Sequence, residues 1–170
     1  MKSNATDKPE TLAKREPPSG VLIIGYGNPL RGDDGIGWQV VDQLAKLAGD
    51  STKVLAVHQL TPELAEPISE ANLVIFIDAC YEGQPGSWTC ETIHPDPKPV
   101  DAYTHYFTAM NLLSYAQAMY GASPKALLIS VAGSSFDCGR ELSPRVEAIV
   151  PEIVARVQEW WNAGVERFGN

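Results

Sequence analysis

The chain contains 170 residues with a mass of 18.4 kDa, of which 44% are hydrophobic and 20% are charged. These values predict one globular domain with a buried core rather than a disordered chain. The 13 Lys and Arg against 21 Asp and Glu give a net charge of -8. Because neutralising phosphate groups requires a basic surface, this charge argues against a general binder of nucleic acid or anionic membranes.

Membrane insertion and secretion are not indicated either. No apolar run approaches the roughly 20 residues that a membrane helix needs, and the N-terminus lacks the apolar segment of a secretory signal. The three cysteines, Cys80, Cys90 and Cys138, form no CxxC pair, so a zinc finger or a redox motif is poorly supported. We therefore expect a cytoplasmic protein with reduced thiols, acting as a monomer.

The elements predicted along the chain alternate between strand and helix. Residues 1–20 are polar and contain three prolines, which predicts a disordered extension before a single domain spanning 21–170. Apolar runs predict strands, and 3.6-residue periodicity predicts helices. Strands are expected at 21–24, 53–58, 73–77, 87–93 and 126–131, and helices at 35–49, 62–71, 104–120 and 143–167, the last kinked or split by Pro151. This order predicts a three-layer α/β fold with a mainly parallel sheet of about five strands.

A glycine-rich turn, GYGNPLRGDDGIG at 25–37, separates the first strand from the first helix. Such turns often bind phosphate, but this one lacks both the GxGxxG spacing and a Walker lysine. Asp33 and Asp34 would also repel an anion. The turn therefore favours a cation or acid/base chemistry. The alternative is that one of the two carboxylates caps the helix while the other faces the cleft.

Two further residues are expected at the same edge of the sheet. Asp78 directly follows the predicted strand 73–77, and ligands of open parallel sheets bind at the carboxyl ends of the strands. His105 is placed at the start of the third helix, which also faces that edge. Asp34, Asp78 and His105 together form a three-ligand N/O set suited to nickel or zinc. His58 could also line the cleft, although a peripheral role is favoured, and His94 is expected to be exposed.

The motifs resemble those of the maturation endopeptidases of nickel-iron hydrogenases. The resemblance rests on GYGN at 25–28, DDGIG at 33–37, Ile77-Asp78-Ala79, Thr104-His105 and LSP at 142–144. It covers most of the chain after Gly20. The form of the first motif and HQLTPEL at 58–64 look like the branch that serves bidirectional, NAD-linked hydrogenases.

The resemblance implies both a reaction and a site. The family consists of hydrolases, here of the aspartic type, that remove the C-terminal extension of the hydrogenase large subunit after nickel insertion. The partner would be that precursor, and the nickel would be supplied by it. Asp34, Asp78 and His105 would be the metal ligands and the catalytic residues. Asp34 stands where some members have Glu, which is one methylene longer.

The residues leave other functions open. A nickel chaperone or checkpoint protein would use the same three side chains but would leave the peptide bond intact. A nucleotide-binding domain is disfavoured by the missing phosphate motifs. A related endopeptidase on the same fold, acting on another substrate such as a spore protein, fits the motifs less well.

Overall fold

The computed structural model describes residues 20–97 and 107–163. Most of the predicted extension 1–20, the segment containing His105 and the C-terminal end of the predicted last helix lie outside these residues. The described strands are β1 Val21–Tyr26, β2 Thr52–Val57, β3 Leu73–Cys80, β4 Trp88–Ile93 and β5 Lys125–Ala132. The described α-helices are α1 Ile36–Ala45, α2 Ala65–Glu70, α3 Ala109–Tyr120 and α4 Pro144–Ala163.

The strands form one sheet in the order β2-β1-β3-β5-β4. The pairings β1–β2, β1–β3 and β3–β5 are parallel, and β4 runs antiparallel to β5 at one edge. The prediction of a mainly parallel sheet of about five strands is therefore confirmed. No helix of the described segments is long and apolar enough to cross a membrane.

Helices cover both faces of this sheet, which confirms the three-layer arrangement. Alternate strand residues point to opposite faces, so each apolar run supplies two cores. On one face Ile23, Ile75 and Ile129 pack with α1 and α4. On the other face Ile24 and Phe76 pack with α2 and α3.

The first strand is longer than predicted, because Gly25 does not end it. Gly25 pairs with Ala56 on one side and Ile77 on the other. A Cβ at this position would collide with the backbone oxygen of Gly37 in α1. The glycine therefore allows helix and strand to approach closely, which is a tertiary requirement and not a turn signal.

Three other predicted boundaries are wrong. Strand β3 continues through Asp78, which pairs with Ser130, because β5 extends equally far. The predicted helix 62–71 begins with a 3-10 turn, Pro62–Leu64, and its α-helical part spans only Ala65–Glu70. The third helix starts later than predicted, because Thr108 and Asn111 form a capping box.

The last helix is not split at Pro151. It is assigned as one helix from Pro144 to Ala163. Pro151 is exposed, so the carbonyl that loses its intrahelical bond there can be hydrated. The buried residues Val150 and Ile153 pack the helix against the sheet on both sides of the proline. This packing explains why the helix continues.

Candidate functional site

The candidate site lies where the chain connections diverge from the sheet. From β1 the chain passes through α1 to β2 on one side, whereas β3 is followed by β4, α3 and β5 on the other side. The carboxyl ends of β1 and β3 therefore border a crevice at a topological switch point, the usual ligand site of open α/β sheets. Tyr26 ends β1, and Asp78 lies next to it near the end of β3.

The turn after β1 is closed by Asp34. The backbone N–H of Asn28 donates to Asp34 Oδ2 at 2.9 Å, and the N–H of Leu30 donates to Asn28 Oδ1 at 2.9 Å. Gly27 has a φ of 129°, and a Cβ there would collide with the backbone oxygen of Asp34. The Asp34 carboxylate, which is partly buried, is thereby held at the crevice.

Asp33 has a different role, because it is fully buried. Its Oδ2 accepts hydrogen bonds from the N–H groups of Ser134 at 2.6 Å and Ser135 at 3.0 Å, and from the Ser143 hydroxyl at 2.8 Å. Its Oδ1 accepts from the N–H of Ser143 at 2.7 Å. Burial alone would raise the pKa of Asp33, but these bonds outweigh it and lower the pKa.

The proposed helix cap is therefore wrong for both acids. Neither the 3-10 turn Gly32–Gly35 nor α1 has a side-chain hydrogen bond at its N-cap. Asp33 instead anchors residues 133–143, termed here the β5–α4 loop, to the turn after β1. Sequence reasoning missed this role, and the only signal for it was an acidic pair beside a glycine-rich turn.

Asp78 is partly buried and hydrogen-bonded to the hydroxyl of Tyr26. The pKa of its carboxyl is raised to about 6, chiefly because burial disfavours the charged form; bonds from Tyr26 and the Ala79 backbone oppose this shift, and the negative charge of Asp34 adds a smaller increase. Burial and the charge of Asp78 also raise the pKa of Tyr26, so its hydroxyl keeps the proton that it donates. The charge of Asp34 thus reaches Asp78 across the crevice.

The histidines occupy three different settings. His105 lies outside the described residues, so its predicted place beside Asp34 and Asp78 stays a prediction. His58 is exposed after β2, with its ring 5.1 Å from that of Trp38. Trp38 Nε1 donates to the carbonyls of Gly27 and Val57, which places His58 at the same edge of the sheet. His94 is exposed, as predicted, and follows the antiparallel strand β4 at the opposite edge.

The described residues supply only part of the expected ligand set. Within 20–97 and 107–163, no three His, Cys, Asp or Glu side chains are grouped so as to hold a metal ion. Two carboxylates at one crevice fit a divalent cation chemically, because hard and borderline ions accept carboxylate oxygen. The thiol of Cys80, two residues after Asp78, donates to the carbonyl of Glu82 at 3.2 Å.

The fold is similar to solved structures of hydrogenase maturation peptidases. The hydrogenase-maturating endopeptidase HybD from E. coli aligns with a TM-score of 0.66 and 24% identity, covering 81% of this chain and 89% of that one. The hydrogenase 2 maturation peptidase from a Thaumarchaeota archaeon aligns with a TM-score of 0.63 and 29% identity, covering 82% and 96%. The [NiFe] hydrogenase maturation protease HycI from Thermococcus kodakarensis aligns with a TM-score of 0.66 and 23% identity, covering 83% and 91%.

No protein-family model matches the chain, and no curated protein is significantly similar to it in sequence. The solved structures nevertheless align over most of both chains. The resemblance inferred from the motifs is therefore confirmed by structure, and the chain has the fold of the hydrogenase maturation endopeptidases.

Proposed function

We propose that this protein is an endopeptidase that removes the C-terminal extension from the precursor of a [NiFe] hydrogenase large subunit. The observation that carries the proposal is the placement of Asp34 and Asp78 together at the switch point of this fold. Support also comes from the maturation peptidase from a Thaumarchaeota archaeon, which is 29% identical to this chain.

In this proposal the metal arrives with the substrate. Asp34, Asp78 and His105 bind the nickel ion of the loaded precursor, so the free protein lacks a complete catalytic centre. One oxygen of Asp34 is already engaged by the N–H of Asn28, which fixes the direction of the carboxylate. Tyr26 does the same for Asp78. Such preorganisation lowers the cost of binding a metal ion.

The carboxylates then act on the scissile bond. Nickel from the substrate supplies a Lewis acid that can polarise the scissile carbonyl or activate water. Alternatively, ionised Asp78 or Asp34 takes the proton from the attacking water and passes it to the leaving amine, as a general base and then a general acid. The raised pKa of Asp78, about 6, suits a group that exchanges protons near neutral pH.

Intact mass spectrometry tests this function directly. The purified large-subunit precursor from the same organism is incubated with this protein, once nickel-loaded and once nickel-free. We expect the loss of a C-terminal peptide from the loaded form only. Cleavage of both forms would contradict nickel recognition, and binding of the loaded form without a mass change would support the chaperone alternative. Neither cleavage nor binding would overturn the proposal.

The remaining features are proposed with the same function. The protein acts as a monomer in the cytoplasm, and its substrate belongs to a bidirectional, NAD-linked hydrogenase. Light scattering of the purified protein measures its oligomeric state, and cell fractionation measures its location. Comparing precursors of bidirectional and other hydrogenases in the cleavage assay tests the branch, since we expect only the former to be processed.

A further inference from the structure

An aromatic pair, an exposed Tyr81 and a half-buried Phe136, lies at the carboxyl end of β3, the end that carries Asp78. Tyr81 is 73% exposed, yet its ring is stacked on that of Phe136 with centroids 4.1 Å apart. Tyr81 follows Asp78 by three residues at the end of β3. An exposed aromatic ring stacked on a second ring is typical of binding surfaces, because aromatic side chains bury large apolar areas at a low cost in side-chain entropy.

The pair is held in place by the protein itself. The ring of Phe136 lies over Gly133, where a Cβ would be 2.5 Å from Phe136 Cζ. Arg31 Nε donates to the carbonyl of Phe136 at 3.3 Å. The β5–α4 loop that carries Phe136 is anchored by the buried Asp33. Phe136 and its loop are therefore positioned before a partner binds, which lowers the cost of binding.

The other large apolar side chains that are exposed among the described residues are less exposed than Tyr81, and two of them lie at the same edge of the sheet: Leu30 in the turn after β1, 49% exposed, and Met110 in the first turn of α3, 43% exposed. Leu47 follows the end of α1, and Met119 lies in the last turn of α3. Because each of these helices leads into a parallel strand, both side chains lie at the opposite edge of the sheet from Asp78. Tyr81 is thus the most exposed large apolar residue among those described, and it adjoins the candidate site.

We propose that Tyr81 and Phe136 form a specificity subsite that binds an apolar side chain of the substrate within about three residues of the scissile bond. This inference rests on the proposed peptidase function. Tyr81 follows Asp78 by three residues, and three residues of extended chain span at most ~10 Å. A substrate chain whose scissile bond lies at Asp78 can therefore reach the pair with about three of its own residues. The occupant is the extended C-terminal segment of the precursor, continuous with the part bound by the carboxylates.

Steady-state cleavage of the nickel-loaded precursor tests the subsite. We expect Tyr81→Ala to raise KM about tenfold with kcat within twofold of wild type, the size typical of an aromatic binding residue. Tyr81→Phe keeps the ring and should restore KM to within twofold. Leu47→Ala, an exposed apolar residue at the opposite edge, is the control and should change neither constant. An unchanged KM for Tyr81→Ala would overturn the subsite.

A double-mutant cycle locates the occupant. Apolar residues of the precursor within three positions of the cleavage site are replaced singly by Ala. At the position that contacts the pair, the Ala substitution in the precursor should raise the KM of the Tyr81→Ala variant by less than twofold, because the contact has already been lost. If no position shows this coupling, the assigned occupant is wrong. If wild-type protein cleaves no precursor, the peptidase function fails instead, and unchanged binding of the loaded precursor by Tyr81→Ala would then refute the subsite independently.

Discussion

Asp33 is fully buried and accepts four hydrogen bonds, whereas Asp78, at the same edge of the sheet, is partly buried and bonded to Tyr26 and the Ala79 backbone. The pKa of Asp33 is lowered and that of Asp78 is raised. Desolvation raises the pKa of both, but hydrogen bonds from several donors outweigh it at Asp33, whereas Asp78 meets fewer donors and also faces the charge of Asp34. A carboxylate saturated with donors joins segments of the fold, and one with few donors keeps oxygen atoms available for chemistry.

The largest effect is expected on activity. Asp78→Asn keeps an acceptor for the Tyr26 hydroxyl but removes the negative charge and the basic oxygen. We expect cleavage of the loaded precursor to fall by at least ~10³-fold, the range seen when a proton-transfer group is lost. Intact mass spectrometry of the precursor measures this loss, and circular dichroism checks that the variant is folded. A folded variant with full activity would remove Asp78 from the site.

The structural carboxylate should show the opposite pattern. In Asp33→Asn an amide N–H₂ faces buried N–H groups, so we expect the free energy of unfolding to fall by about 2–4 kcal/mol. Urea denaturation measures this change. Asp137→Asn, an exposed site in the same loop bonded to the Ser135 hydroxyl, is the matched control and should cost less than ~0.5 kcal/mol. Equal stability of the two variants would contradict the anchoring role.

The free energy of unfolding should depend on pH in opposite directions for Asp78 and Asp33. The pKa of Asp78 rises on folding from 3.8 to about 6, so the native state holds its proton longer than the unfolded state does. The ionised Asp78 carboxylate therefore lowers the free energy of unfolding above pH 6, and this effect vanishes below about pH 4, where the group is protonated in both states. Relative to Asp78→Asn, the wild-type protein should lose about 1–2 kcal/mol between pH 4 and pH 6, a value reduced from the full shift because the group is partly exposed.

Asp33 should behave in reverse, because its folded pKa lies below its unfolded value. Its stabilisation is present above the unfolded pKa and is lost as the pH falls through the folded pKa. The stability gap between wild type and Asp33→Asn should thus shrink on acidification below pH 4. Urea titrations from pH 3 to pH 8 on the protein without precursor measure both trends. If the stability contributions of Asp33 and Asp78 changed with pH in the same direction, the contrast between the two carboxylates would be refuted.

The fold was largely predictable because buried parallel strands are continuous apolar runs. The order of the strands in the sheet and their exact ends were harder to predict. Gly25 and Asp78 belong to strands only because the neighbouring strands extend as far. The placement of Asp34 and Asp78 at one edge followed from general sheet geometry. The role of Asp33 did not, because its partners lie 101 to 110 residues away in the chain. The Tyr81–Phe136 stack was missed for the same reason.

Asp34 provides the smallest and most discriminating stability test. It adjoins Asp33 in sequence but accepts one backbone hydrogen bond, from Asn28, which the side-chain oxygen of an Asn can also accept. Asp34→Asn should therefore change the free energy of unfolding by less than ~1 kcal/mol, within the range of a single net hydrogen bond. Its cleavage activity should nevertheless fall as far as that of Asp78→Asn. Measured beside Asp33→Asn, this variant assigns the two adjacent acids separately. A loss of stability as large as that of Asp33→Asn, with activity retained, would show that the binding carboxylate and the structural one had been exchanged.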